Sequence, residues 1–247
     1  MKFGVLEEDT LPATIYDIAQ IADDVYNTAS KVSFNRVYYK NNPTTDFSGA
    51  IYDVPGFRVA AFAGTDSLRD ALVSDVQLAT GWLPEQEKDA RELLFRAYEG
   101  GRPVIMTGHS LGGALCQILG YEDVPFISFN APPMATNMAA SWSSTGARAA
   151  VTTAASIVGG GILGIVAYIA SSKARQAAIG NVKPESGINI RLPYDPVSSS
   201  SWGGGHVGTV IEIPAPSWTV NRHSMGAVVK SLSGEGDAAN VGAVQLG

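Results

Sequence analysis

"VIMTGHSLGGAL", residues 104–115, runs from a β-branched apolar segment into a serine flanked by glycines, then into small and apolar residues. With 27 glycines and 22 serines in 247 residues, chance alone would supply about 0.3 copies of Gly-x-Ser-x-Gly. The surroundings therefore decide its meaning. A strand ending at Gly108 followed at once by a helix would put Ser110 on a sharp turn at the strand's carboxyl end. Gly108 and Gly112 would keep side chains clear where strand and helix nearly touch. The helix would also aim its free N–H groups and positive dipole end at that spot. A nucleophilic serine needs such exposure, a base to take its proton and donors to hold an oxyanion.

The rest of the chain alternates in the same way. Residues 11–31 space Ile15, Ile18, Ala19, Ile21, Ala22 and Val25 three and four apart, predicting an amphipathic helix. "NRVYYK", "SGAIYDV" and "FRVAAFAG" read as strands joined by tight turns. "TDSLRDALVSDVQLATG" reads as a short helix capped by Asp66 or Ser67, and "PEQEKDARELLFRAYEGG" as a strong one with Pro and acids first and Gly-Gly last. Strand "PVIMT", helix "LGGALCQILGY", strand "VPFISFN", strand "GINIRLPY", strand "HVGTVIEIP" and a terminal helix after "NRHSM" follow. This pattern predicts an α/β chain of one domain, 1–247, whose mostly parallel sheet is covered on both faces.

Composition excludes several classes. Hydrophobic residues make up 45% and charged ones 16%, a globular balance. A net charge of −6 with no Lys/Arg cluster speaks against a nucleic-acid partner. The one cysteine, Cys116, rules out an internal disulfide and reads as core. No cofactor or metal is implied. The N-terminus has no apolar signal-like run, so the expectation is synthesis in the cytoplasm, with signal-less export or membrane association left open.

Only three histidines could serve as the base. His109 adjoins Ser110, where the turn would point its ring away from the hydroxyl. His206 enters a strand and reads equally as a structural histidine bonding a backbone carbonyl. His223 lies in the loop before the last helix, where the chain order nucleophile, acid, base expects it. Among the acids between, Asp195 alone ends a clear strand and opens a turn; a plain turn-forming aspartate is the alternative. Leu111 N–H would be one oxyanion donor. The loop after "FRVAAFAG" offers Thr65 as the second, against a simple capping role for Gly64-Thr65-Asp66.

Four segments together resemble the class 3 (fungal-type) lipases: "VAAFAGTDSLRDALVSDVQ", "VIMTGHSLGGALCQI", "FISFNAPPMATN" with "YDPV", and "HVG" followed by "RHSM". They stand in that family's order and span most of residues 15–230. The resemblance implies an α/β-hydrolase fold, with Ser110 as nucleophile, Asp195 as acid, His223 as base, and Thr65 and Leu111 at the oxyanion hole. It also implies a lid over residues 67–82 and a structural place for His206. Ala63 stands where the family has an arginine before Gly-Thr. The absence of disulfides suggests a bacterial or phage version.

Residues 141–186 do not resemble the family core. Within them, 149–170 hold 22 residues without a charge, long enough to cross a bilayer, though Gly159 to Gly161 weaken a continuous helix. From Ser143 to Arg191 five Lys/Arg face Glu185 alone, a local charge of +4. The segment is expected to be an apolar helical insertion: a lid, a cap, or a hairpin docking on anionic lipid. The expected function is a lipase or phospholipase cleaving fatty-acyl esters through an acyl-enzyme. Its partners would be a lipid or phospholipid ester and a membrane surface. The alternatives are a membrane-inserting toxin or anchor that uses 149–170 on a hydrolase scaffold, and a soluble esterase or thioesterase.

Overall fold

The computed structural model describes residues 13–64, 83–120, 124–134, 187–200, 205–216 and 221–233. Thr65, the expected lid at 67–82 and the insertion at 141–186 lie outside the described residues.

Helix α1 spans Ile15–Asp24, shorter at both ends than the periodicity over 11–31 predicts. Thr14 starts it: its hydroxyl accepts from Asp17 N–H at 3.2 Å, while the Asp17 carboxylate accepts from Thr14 N–H at 2.8 Å. At the other end the Asp24 side chain accepts from Lys31 N–H at 2.6 Å and Ser30 O–H at 2.8 Å, a local competition that turns the chain out of the helix. Ile18 and Ile21 are at most 2% exposed. Burying two isoleucines is worth about 3–6 kcal/mol, against about 1 kcal/mol for a cap. Packing therefore sets the helix, and the cap sets its first residue.

Strands β1 (Asn35–Asn42), β2 (Phe47–Val54) and β3 (Phe57–Phe62) form an antiparallel meander. From β3 onward the sheet is parallel: β4 (Val104–His109), β5 (Phe126–Phe129), β6 (Gly187–Arg191) and β7 (Thr209–Glu212) add one after another. The seven strands among the described residues thus lie in chain order. Helix α2 (Leu83–Tyr98) follows β3, α3 (Leu111–Gly120) follows β4, and α4 (Met225–Leu232) follows β7. Because each parallel crossover steps the same way, the right-handed rule places both helices on one face. Indeed α2 and α3 share a core with Ala60, Phe62, Met106 and Phe126. Their neighbours Val59, Ala61, Ile105 and Phe129 point to the opposite face, where they pack with α1 and α4. This alternation is the pleat of a sheet buried on both sides. All six residues of β4 are buried, as its central place requires. Cys116 is fully buried in the first of these cores.

The carboxyl ends of β3, β4, β5 and β6 lie side by side, with Phe62 paired to Gly108, His109 to Phe129 and Phe129 to Ile190. In parallel α/β sheets this edge is where sites form.

Candidate active site

Ser110 follows β4 directly and takes φ of 53°, a left-handed conformation costing about 1–3 kcal/mol for a residue with a side chain. The neighbours impose it. Its N–H donates to Phe129 O on β5 at 3.1 Å, and its carbonyl accepts Ala114 N–H at 3.0 Å in the first turn of α3. The two glycines let strand and helix meet closely: a Cβ on Gly108 would stand 2.5 Å from Gly112 C, and one on Gly112 only 2.1 Å from Phe62 O.

The turn brings Ser110 within reach of His223, whose Nε2 lies 2.8 Å from Oγ. The other ring nitrogen, Nδ1, lies 3.0 Å from Asp195 Oδ1. A carboxylate only accepts, so Nδ1 carries the proton and Nε2 accepts from the serine hydroxyl. The Asp195 and Ser110 side chains belong to residues at most 1% exposed, and His223 is 4% exposed. Ser110, His223 and Asp195, drawn from three separate loops, thus form one hydrogen-bonded line in which the serine proton has a place to go.

Burial alone would push the Asp195 carboxyl up. Its hydrogen bond and attraction to His223, together with the Ser198 backbone N–H at 2.9 Å, outweigh that and hold it below the ordinary 3.8. A carboxyl with a lowered folded value stabilises the fold fully above its unfolded value, and that stability is lost as pH falls through the folded one. Tm measured from pH 7 to pH 3 should therefore drop more for the wild type than for Asp195→Asn below about pH 4. Parallel curves would show that the pair does not feed stability.

Several residues that sequence analysis passed over hold these three. Asn130, with φ of 45° just past β5, donates from Nδ2 to Arg222 O at 2.8 Å and accepts Leu192 N–H at 2.9 Å. One amide thus ties the base loop to the exit of β6. The signal was an asparagine closing an apolar strand before Ala-Pro-Pro, since asparagine tolerates left-handed backbone. His109 turns its Nε2 to the carbonyl of His223, 2.6 Å away. Asn221 Oδ1 accepts His223 N–H at 3.1 Å, and Ser224 caps α4 through Ala227 N–H at 3.2 Å. On the acid side, His206 Nε2 donates to Ser198 O at 3.0 Å, the carbonyl-bonding role weighed for it above. Burial, with Arg191 nearby, lowers its pKa from 6.5. Leu111 opens α3 beside Ser110 and is fully buried. Among the described residues no cluster of His, Cys, Asp or Glu could hold a metal ion.

Sheet order and the strained serine together define an α/β-hydrolase fold. Among solved structures the chain is similar to a lipase from Rhizopus microsporus var. chinensis, at 15% identity and a TM-score of 0.48, covering 83% of this chain and 76% of that one. It is also similar to lipase II from Rhizopus niveus (14%, TM-score 0.47, 84% and 80% covered) and to a triacylglycerol lipase from Penicillium expansum (16%, TM-score 0.43, 85% and 80% covered). No protein-family model and no curated protein matches the chain.

Proposed function

We propose that the protein is a serine carboxylester hydrolase acting on fatty-acyl esters of lipids. The observation that carries this reading is the unbroken line from Asp195 through His223 to Ser110 at a strained strand–helix turn. In the reaction, His223 takes the hydroxyl proton as Ser110 Oγ attacks the ester carbonyl, and Asp195 stabilises the imidazolium that forms. Backbone N–H of Leu111 and the Thr65 loop would hold the developing oxyanion. The protonated His223 then gives its proton to the departing alcohol, leaving an acyl-Ser110. A water deprotonated by the same ring attacks that ester; as the acyl–Oγ bond breaks, His223 returns the proton to Ser110 and the fatty acid leaves.

Phospholipid is the substrate favoured by the sequence, because the +4 segment around the uncharged run at 149–170 suits an anionic lipid surface. Contact with a membrane surface belongs to the same reading, as does a bacterial or phage setting for a version without disulfides. Among the described residues no helix is long and apolar enough to cross a membrane.

The test is covalent capture followed by turnover. A fluorophosphonate should add once to the protein, with peptide mapping placing the adduct on Ser110, and the adduct should abolish hydrolysis of p-nitrophenyl butyrate. Anionic phospholipid vesicles should then release fatty acid that the same adduct blocks. Label on another residue, or none with no ester turned over, would sink the proposal.

A further inference from the structure

Tyr26 follows α1 and its hydroxyl does two things at once. It accepts the N–H of Gly64 at 2.8 Å, and it lies 3.1 Å from Nδ1 of His109. On the far side of that ring, Nε2 is 2.6 Å from the backbone carbonyl of His223. A carbonyl only accepts, so Nε2 carries the ring proton. In a neutral imidazole Nδ1 must then accept, and the Tyr26 hydroxyl donates to it. Three hydrogen bonds therefore point the same way, from Gly64 N–H through Tyr26 and His109 to the carbonyl of His223, and bonds strung in this sense strengthen one another.

The ends of this chain matter. Gly64 directly precedes Thr65 in the chain and is packed tightly: a Cβ there would stand 2.9 Å from the Tyr26 hydroxyl and 3.2 Å from Ser110 Cβ. The other end is the backbone of the base itself, and the ring between them belongs to the residue next to the nucleophile. The anchor is firm as well. Asp24, 2% exposed, accepts from the Tyr52 hydroxyl on β2 at 2.8 Å in addition to Ser30 and Lys31, so the turn bearing Tyr26 is pinned to the sheet. Ala63, before Gly64, has no polar side-chain group to anchor the loop.

The geometry points to Tyr26 and His109 as positioning residues that keep the Gly64 loop entry and the His223 backbone in one register around Ser110. This rests on the serine-hydrolase reading. It assigns neither residue a proton transfer. Misplacement of a reacting group by about an ångström can cost two orders of magnitude in rate.

The experiment measures kcat per active site, with sites counted by fluorophosphonate titration, on p-nitrophenyl butyrate. Tyr26→Phe removes the shared hydroxyl and keeps the ring. It should lower kcat per titrated site by about tenfold or more, with KM within about twofold. A residue needed only for stability would lower Tm and the titratable fraction but leave kcat per site unchanged, and that result overturns the inference. If Tyr26→Phe yields no titratable enzyme, the His109 variants decide. His109→Gln, whose amide can still donate to the His223 carbonyl, should be several-fold faster per site than His109→Ala; equal rates overturn it. A wild type whose turnover survives Ser110→Ala removes the hydrolase reading and this inference with it, whereas Ser110-dependent turnover untouched by Tyr26→Phe removes the inference alone.

Discussion

Ser110→Ala is expected to lower kcat/KM for p-nitrophenyl butyrate by roughly 10⁴-fold or more, about 5 kcal/mol of lost transition-state stabilisation. The substitution takes away one oxygen and its proton. The Asp195–His223 pair remains, but the imidazole has nothing to deprotonate except water. Stability should barely move. Alanine meets the same left-handed backbone that serine meets at φ of 53°, and the backbone bonds to Phe129 and Ala114 do not involve the side chain. A Tm within a few degrees of wild type together with lost turnover isolates chemistry from folding. A variant that keeps activity within tenfold of wild type, with fold intact, would show that the hydrolysis runs elsewhere.

Gly112→Ala should be the most damaging single methyl group in the described structure. Its Cβ would lie 2.1 Å from Phe62 O, 2.7 Å from Phe62 C and 2.9 Å from Ala63 C. All three are backbone atoms, and Phe62 belongs to a strand bonded on both sides, so no rotamer change relieves the overlap and α3 must move outward. A cost of about 3 kcal/mol or more follows, or a Tm drop of roughly 6–12 °C for a chain of this size. Because Ser110 immediately precedes that helix, kcat should fall with it. Gly226→Ala is the control: it lies in the first turn of α4 and a Cβ there meets nothing within 4 Å, so stability should hold at the wild-type level. Differential scanning calorimetry on the pair checks both, and a Gly112→Ala protein as stable as wild type would mean that the strand–helix contact is looser than described.

Much of this architecture is legible in local sequence. The apolar run at 104–106 reads as a strand buried on both faces, and Gly108, Gly112 and Gly113 allow a helix to start against the sheet. Chain order narrows the choice, and position does the rest: Asp195 is the acid that ends a strand and opens a turn, and His223 the histidine just before the last helix. What local pattern leaves out is the set of long-range backbone contacts. Nothing near Tyr26 announces that its hydroxyl meets Gly64, 38 residues away, and His109, 83 residues away. Asn130 likewise gains its meaning only when β5 and β6 pair and the 221–223 loop folds over them. Helix α1 is overextended by periodicity because spacing of apolar residues does not register a buried Asp24 that draws Ser30 and Lys31 into a turn.

The chain-order sheet also bears on how the molecule is assembled. Strands β1 to β5 and helices α2 and α3 can pair as they leave the ribosome, each against its predecessor. The face formed by Val59, Ala61 and Ile105 is different, for it is closed by α1 and α4 packing on each other, and α4 is synthesised about two hundred residues after α1. Until then, among the described helices, α1 alone packs on that face of the growing sheet, and an incompletely covered apolar face is open to aggregation or chaperone capture. The loop that delivers His223 arrives with the same late helix, so a nascent chain holds its serine turn long before it holds a base. Reactivity is thereby withheld until the fold is closed.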